Sequence, residues 1–233
     1  MDNVESKDAA LVEIRVKLIA LALVDGGIAV LLTNGNGGVC SLPGDGLQTG
    51  EALDDAAQRI LQAQAGIDQI YAEQLYTFED VIRAPGPRVV TIAYLALLAG
   101  DSLARSLRSG KGLTVADVVV PWADETGGPV QVHDPEQCPL ELADGDDHVL
   151  GQAMLRLRGK LDYSAVGFAL LPERFTLRQL QDVHEAILGV RLNKPAFRRR
   201  MLDKGWLQAT GEREAGTSFR PAELYLYRPT KGA

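Results

Sequence analysis

The stretch from Gly44 to Ile67, GDGLQTGEALDDAAQRILQAQAGI, constrains the fold more than any other part of the chain. Leu53, Ala57, Ile60 and Gln64 recur at helical spacing, so residues 52–65 read as one helix. Gly66 falls where a left-handed residue stops such a helix. Ahead of it Val39 to Leu42 leads into a glycine-rich turn, Gly44-Asp45-Gly46. Glu51 and Arg59 stand with seven residues between them across the loop–helix junction. Positions 60, 63 and 64 share one face of the expected helix and hold Ile60, Ala63 and Gln64.

This stretch resembles the signature box of the Nudix family, which reads G, five residues, E, seven residues, R-E-U-x-E-E-x-G-U, with U bulky and apolar. Glu51, Arg59, Leu61, Gly66 and Ile67 are in register, Ser41-Leu42-Pro43-Gly44 resembles the LPGG that opens many such boxes, and Asp45 replaces the box glycine. In Nudix hydrolases positions 60, 63 and 64 carry glutamates that hold magnesium, an ion that takes hard oxygen ligands. Isoleucine, alanine and glutamine cannot replace them. The resemblance therefore implies a Nudix frame without its catalytic charge: no catalytic residue, no metal ligand and no cofactor is expected, and the box is read as part of a ligand sensor.

With 233 residues, the chain has the length of one large or two small domains, and its apolar fraction of 46% allows a sizeable core. The polar, acidic start MDNVESKDAA is not a signal peptide, and the early apolar run from Leu18 to Val24 is too short to span a bilayer. Cys40 and Cys138 form no metal or disulfide pattern, and His133, His148 and His184 are scattered, so a reducing cytoplasm is expected. The net charge of −7 is unevenly divided. Residues 148–233 hold 15 Lys and Arg against 8 Asp and Glu, whereas residues 1–147 hold the other 9 of 24 against the other 23 of 31. A basic C-terminal third on an acidic body points to a polyanionic partner for that third.

Residues 11–24 alternate as a strand, Asp25-Gly26-Gly27 is a turn, and Ile28 to Leu32 returns as a hairpin. Residues 69–78 and 88–98 are further strand candidates, the second apolar on both faces and so central. The segment from Phe78 to Leu98 resembles the corresponding segment of Nudix regulators related to ADP-ribose hydrolases, with Glu79 in place of a glycine. Arg83 and Arg88 in its loop are candidate ligand arms, because a guanidinium grips phosphate with a two-pronged fork. Val115 to Trp122 reads as another strand, with Trp122 a core or edge aromatic, and Asp124 to Asp147 reads as a linker with short helical pieces.

From Asp146 the pattern changes. Val149, Ala153, Leu157 and Leu161 mark a connecting helix with Arg156, Arg158 and Lys160 between them, and Phe168 to Leu171 is a short apolar segment. Thr176 and Gln179 form a capping box, Phe175 and Leu180 a hydrophobic staple, and Leu177, Leu180, His184 and Ile187 or Leu188 a helix face that Gly189 ends. Asn193 is a good N-cap for a second helix that holds Pro195 in its first turn and runs through Asp203 to Gly205. Trp206 to Thr210 and Ala222 to Tyr227 are strands around the tip GEREAGTSFR. This order gives a winged helix-turn-helix. With Phe197, Met201 and Leu202 as its inner face, Arg199 and Arg200 point outward as base readers, and Arg198 is left for a phosphate or an internal ion pair. Thr176, Arg178 and Lys194, with Arg213 and Arg220 beside the wing tip, complete the candidate DNA contacts.

Together the two halves resemble the Nudix-related transcriptional regulators that control NAD metabolism, the NrtR type. The resemblance extends through LRGKLDYSAVGFALLPERFTLRQLQDVHEAILG and LNKPAFRRRMLDKGWL and covers nearly the whole chain. It implies an α+β architecture: a mixed-sheet α/β/α sandwich of the Nudix kind over residues 1–147, followed by a winged helix-turn-helix over 148–233. It also implies a cytoplasmic homodimer on double-stranded DNA with a palindromic operator, acting as a repressor whose sensor binds ADP-ribose or a related NAD metabolite. That effector would sit between Gly44–Gly46 and the 78–88 loop, with Arg83 or Arg88 on the diphosphate and Glu51 and Arg59 as partners at the loop–helix junction. Three alternatives stay open: a sugar-responsive regulator, a residual hydrolase in which Glu51 and Glu79 supply the carboxylates, and a Nudix domain that only dimerises.

Overall fold

The computed structural model describes residues 12–67, 72–80, 88–99, 103, 112–123, 125–143, 145–215 and 221–229. Strands β1 (Val12–Val24) and β2 (Gly27–Asn34) form the expected hairpin, with Val24 opposite Gly27. Short strands β3 (Cys40–Ser41) and β4 (Gly44–Gly46) pair with β2 and β1. Strand β5 (Ala72–Asp80) runs antiparallel to β6 (Arg88–Leu98), and β6 runs parallel to β1 from Val12 opposite Arg88 to Ala22 opposite Leu98. A parallel pair is covered on both faces, which is why β6 carries apolar side chains without alternation. Strand β7 (Leu113–Val119) pairs with β2. The segment expected to be a linker with helical pieces holds instead β8 (Gln131–His133) and β9 (Pro139–Leu140). These short strands pair in turn beyond β7, so the sheet order is β5-β6-β1-β2-β7-β8-β9. They satisfy ladder groups that β7 would otherwise leave open, a purpose that their Gly- and Pro-rich composition conceals.

The alternation of β1 divides the interior. Val16, Leu18, Ala20 and Ala22 pack with Ile92 and Tyr94 beneath α1 (Leu53–Ile60), whose buried residues are Ala56, Ala57 and Ile60. Ile19 and Leu21 pack on the other face with Val30, Leu32 and Leu95 beneath α2 (Asp146–Lys160). The α/β/α sandwich expected from the sequence is therefore present. After Ile60 the first helix widens into a π-turn over 61–65, closed by Gly66 at φ 62°. That widening corrects the expectation that positions 60, 63 and 64 share a face. Ile60 is fully buried against the sheet, Ala63 is exposed, and Gln64 turns toward Gly44.

The apolar layer under α2 continues without a break into the C-terminal elements, joining Leu150, Ala153, Met154 and Leu157 to Leu180, Val183, Phe197 and Met201. The 147/148 division falls within the first turn of α2. Helix α3 (Leu177–Leu188) opens with the expected capping box: the Gln179 N–H donates to Thr176 Oγ1 at 3.2 Å and the Thr176 N–H to Gln179 Oε1 at 2.7 Å. Gly189 ends it at φ 71°. Asn193 caps α4 (Lys194–Asp203) by accepting from the Ala196 N–H at 3.0 Å. Strands β11 (Leu207–Arg213) and β12 (Glu223–Tyr227) form the wing, and Phe175–Thr176 adds β10 as its third strand. Among the described residues no helix is long and apolar enough to cross a membrane.

His184 lies on the inner face of α3, 3% exposed, edge-on to Phe197 at 5.0 Å, with its Nδ1 unpartnered. Burial, then Arg200 and Lys204, push its pKa down to about 4 against the opposing pull of Asp162. The unfolded chain takes up this proton near pH 6.5, so between about 6.5 and about 4 the unfolded state binds more protons and stability falls with pH. His184→Gln should remove that slope. Melting temperatures measured from pH 7 to 4 should fall more steeply in the wild type, by up to about 3 kcal/mol in equivalent stability.

Candidate functional site

Gly44 lies opposite Lys17 of β1. A Cβ at this position would stand 3.0 Å from Lys17 Cγ and 3.0 Å from the Val16 carbonyl oxygen, so the close approach of β4 to β1 favours glycine. Gln64 closes on the same residue from the helix: its Nε2 donates to the Gly44 carbonyl at 2.9 Å, and its Oε1 accepts the Gly44 N–H at 3.2 Å. A neutral carboxamide does both, whereas an ionised carboxylate only accepts. Position 64 is therefore a clip on the glycine strand.

Arg59 organises the rest of the box. Its Nε and Nη2 donate to Glu51 at 2.7 and 3.0 Å, its Nη1 to Asp45 at 2.7 Å, and its Nη2 also to the Gly46 carbonyl at 3.1 Å. This bidentate grip fixes geometry as well as charge. Glu51 also accepts the Gln48 N–H at 3.0 Å. Hydrogen bonds from Arg59 first, and then from Gln48, hold the Glu51 carboxyl below the usual carboxylate range. Arg59, and then the Gly46 N–H, do the same for Asp45. Among the described residues no three His, Cys, Asp or Glu side chains gather as a metal site.

Across from the box, Arg88 at the start of β6 is half exposed and pairs with Glu79 of β5. Arg83 lies outside the described residues. Sequence reasoning missed Lys17 and Asp146. Asp146, the first residue of α2, is fully buried and accepts from Lys17 Nζ and from the Leu42 N–H, the latter at 2.8 Å. Burial raises its pKa, opposed by Lys17. An aspartate at a helix start reads as a local dipole partner, and nothing in the local pattern announces a lysine 129 positions earlier.

The C-terminal cations divide into two groups. Arg156, Arg158 and Lys160 of α2 serve the interior, donating to the Leu75 carbonyl at 3.1 Å, the Ile187 carbonyl at 2.9 Å and Glu73 at 2.7 Å. Arg178, Lys194, Arg198 and Arg213 instead line one groove of about 430 Å³ between α3, α4 and the wing. The expected inner face of α4 is corrected here, because Leu202 is 43% exposed and only Phe197 and Met201 are buried. At about 100° per residue, the narrower face leaves Arg199 diametrically outward and puts Arg198 and Arg200 on opposite flanks. Arg198, expected at a phosphate or in an internal ion pair, lines the groove, whereas Arg200 lies 3.4 Å from the exposed Asp162 and packs over Phe197. Arg199 is exposed, 3.9 Å from Asp203. Thr176, expected as a DNA contact, borders the same groove but is only 3% exposed, with its hydroxyl held in the cap. Arg220 lies outside the described residues.

A Nudix-type body joined through a buried helix to a winged helix-turn-helix defines the class of Nudix-related transcription regulators. Residues 167–227 match the NrtR DNA-binding winged helix domain family. The ADPR responsive transcriptional repressor NtrR of Acinetobacter baylyi is 32% identical over 189 residues, covering 80% of this chain and 69% of that protein. The chain belongs to this NrtR family. The crystal structure of Shewanella oneidensis NrtR complexed with a 27mer DNA is 28% identical, covers 92% of this chain and 93% of its own, and superposes with a TM-score of 0.73. A MutT/nudix family protein from Enterococcus faecalis shares the fold at 19% identity, with a TM-score of 0.70 over 93% of this chain and 86% of its own.

Gln64→Glu should lower stability by about 1–3 kcal/mol, because the Gly44 carbonyl loses its donor and faces a like charge. Urea unfolding should show a lower midpoint at unchanged slope. An unaltered midpoint would mean that the clip contributes nothing.

Proposed function

We propose that this chain is a DNA-binding repressor acting as a homodimer, in which residues 1–147 sense ADP-ribose or a related NAD metabolite without hydrolysing it and residues 148–233 hold the operator. The observation that carries this reading is the engagement of the box carboxylates. Glu51 is held by Arg59, Glu79 pairs with Arg88, and position 64 is an amide closed on Gly44. Magnesium held for hydrolysis needs one or two available carboxylates. With Glu51 held and position 64 an amide, only Glu79 is left free when Arg88 turns to phosphate, which weighs against the residual hydrolase built on Glu51 and Glu79.

The effector lies along Gly44 and Gly46, with Arg83 and Arg88 on its diphosphate and Glu51 and Arg59 keeping the loop in shape. Arg88 exchanges Glu79 for phosphate at little cost, since an exposed ion pair contributes about 0–1 kcal/mol. In the DNA-binding part, Arg199 and Arg198 are the base readers, one at the outermost point of α4 and the other on the flank facing the wing. Lys194, Arg178, Arg213 and Arg220 meet phosphates, while Arg200 and Thr176 hold the domain together. Two recognition helices in successive major grooves set half-sites about 34–36 Å apart, or a multiple of that.

Titration calorimetry should show ADP-ribose binding that weakens in Arg83→Ala/Arg88→Ala, with no magnesium-dependent release of product above background. Magnesium-dependent turnover that disappears in Glu51→Gln would sink the sensor reading, and binding of arabinose in place of ADP-ribose would assign the chain to a sugar response.

On operator and scrambled duplexes, Arg198→Ala or Arg199→Ala should each lose about 1–3 kcal/mol of discrimination. Lys194→Ala and Arg213→Ala should weaken both duplexes alike and reduce the salt slope by about 1 each. An operator-to-scrambled ratio unchanged by loss of Arg198 and Arg199 together would place the reading elsewhere.

A further inference from the structure

The glycine strand and the start of α2 are stitched together. The Cys40 N–H donates to the Glu141 carbonyl and the Ala143 N–H to the Cys40 carbonyl, both at 2.8 Å, so residues 141–143 run beside the approach to β4. Two positions further along, the Leu42 N–H donates to Asp146 Oδ2 at 2.8 Å. Lys17, the residue opposite Gly44, reaches Asp146 from β1. Asp146 is fully buried, and the described groups that meet its carboxylate belong to β1 and to the segment that becomes β4.

The far end of α2 is tied to the DNA-binding part. Arg158 Nε donates to the Ile187 carbonyl at 2.9 Å in the last turn of α3, and its Nη1 to the Trp122 carbonyl at 3.0 Å, with the guanidinium 4.6 Å from the Trp122 ring centre. Two residues before Ile187, Glu185 accepts from Arg191 at 2.8 Å and from the Leu192 N–H at 2.9 Å, fixing the turn that leads into α4. One rigid helix therefore has a buried ion pair against the glycine strand at one end and a hydrogen bond to the helix-turn-helix at the other.

We propose that Asp146 is a positioning residue that couples occupancy of the Gly44–Gly46 strand to operator binding, with α2 as the moving part. The inference rests on the effector reading above. A ligand that draws on the backbone of residues 44–46 shifts β4 relative to β1. Leaving Asp146 buried without Lys17 is strongly unfavourable, so the first turn of α2 follows the pair. A packed helix moves as a unit, and Arg158 carries the displacement to α3 and the turn before α4.

The test is the linkage factor, the ratio of operator affinities without and with saturating ADP-ribose, which in coupled systems is typically about 5–150-fold. Asp146→Asn keeps an acceptor for the Leu42 N–H and removes the charge, while the double variant Lys17→Met/Asp146→Asn removes the pair without stranding either charge in the interior. In each variant, operator binding without effector and ADP-ribose binding without DNA should stay within about threefold of wild type while the linkage factor falls toward one; the same fall must appear as the effect of operator on ADP-ribose affinity. Hydrogen exchange on the wild-type chain gives a readout independent of the variants. ADP-ribose should change protection at Leu42, in the first turn of α2 and over residues 187–192 together. Variants that retain full linkage, or an α2 whose exchange is unmoved by bound effector, overturn the relay alone. A wild type that binds no ADP-ribose overturns the effector reading, and the relay with it.

Discussion

Helix α2 has apolar side chains on more than one side, and none of those sides can be left in water. Leu150, Ala153, Met154 and Leu157 complete the face of the nine-stranded sheet that begins at Ile19 and Leu21, and the same layer runs on to Leu180, Val183 and Phe197. The hydrophobic driving force is proportional to apolar area removed from water and has no preferred direction, so what fixes the helix in one place is the set of polar contacts along it. Lys17 holds its first residue, Glu73 its last, and the Trp122 and Ile187 carbonyls the arginine between them. Removing any one of these leaves a charge in a poorly solvated position, which is the costly direction for a buried pair.

Seen by charge, the molecule divides cleanly. In and beside the Nudix-type box the described arginines are matched by carboxylates: Arg59 with Glu51 and Asp45, Arg88 with Glu79. Such a site keeps its shape. The groove beside the wing is the opposite case, with four cations facing one another across open space and Glu223 as the one acidic side chain in its lining. Cations held apart in this way lower the free energy of a polyanion that comes between them, and release of its counterions adds to the effect. The contrast accounts for how an acidic chain can belong to a family of DNA-binding regulators. Its excess of negative charge belongs to residues 1–147, and residues 148–233 carry an excess of positive charge.

Much of the architecture is legible in the sequence because local rules and global packing agree there. The capping box at Thr176 and Gln179, the Asn193 cap and the stop at Gly66 all hold, since each depends on neighbours within a few residues. The β1–β2 hairpin and the central β6 follow from alternation and its absence. The failures share the opposite property. The widened turn after Ile60 depends on where the sheet and Gly44 stand, and helical periodicity carries no trace of that. Strands β8 and β9 exist because β7 has an edge to cover, which their composition does not signal. Leu202 reads as core by residue type, yet α4 buries only Phe197 and Met201, and that error set Arg200 outward and Arg198 inward where the two flank the buried face equally. The Lys17–Asp146 pair could not be read at all, because its members are joined only by the folded chain.

The shared helix also has a consequence for the order in which the protein is made. A chain synthesised from its N-terminus completes every strand of the large sheet before α2 has left the ribosome. Until Lys160 emerges, one face of that sheet has no cover, and Ile19, Leu21, Val30, Leu32 and Leu95 lie open on it. The nascent body must therefore wait as an incomplete sandwich, exposed to other nascent chains and to whatever holds such surfaces in the cell. The helix that ends this wait belongs by sequence to the half that follows, so the first half of the protein finishes folding only as the second half begins.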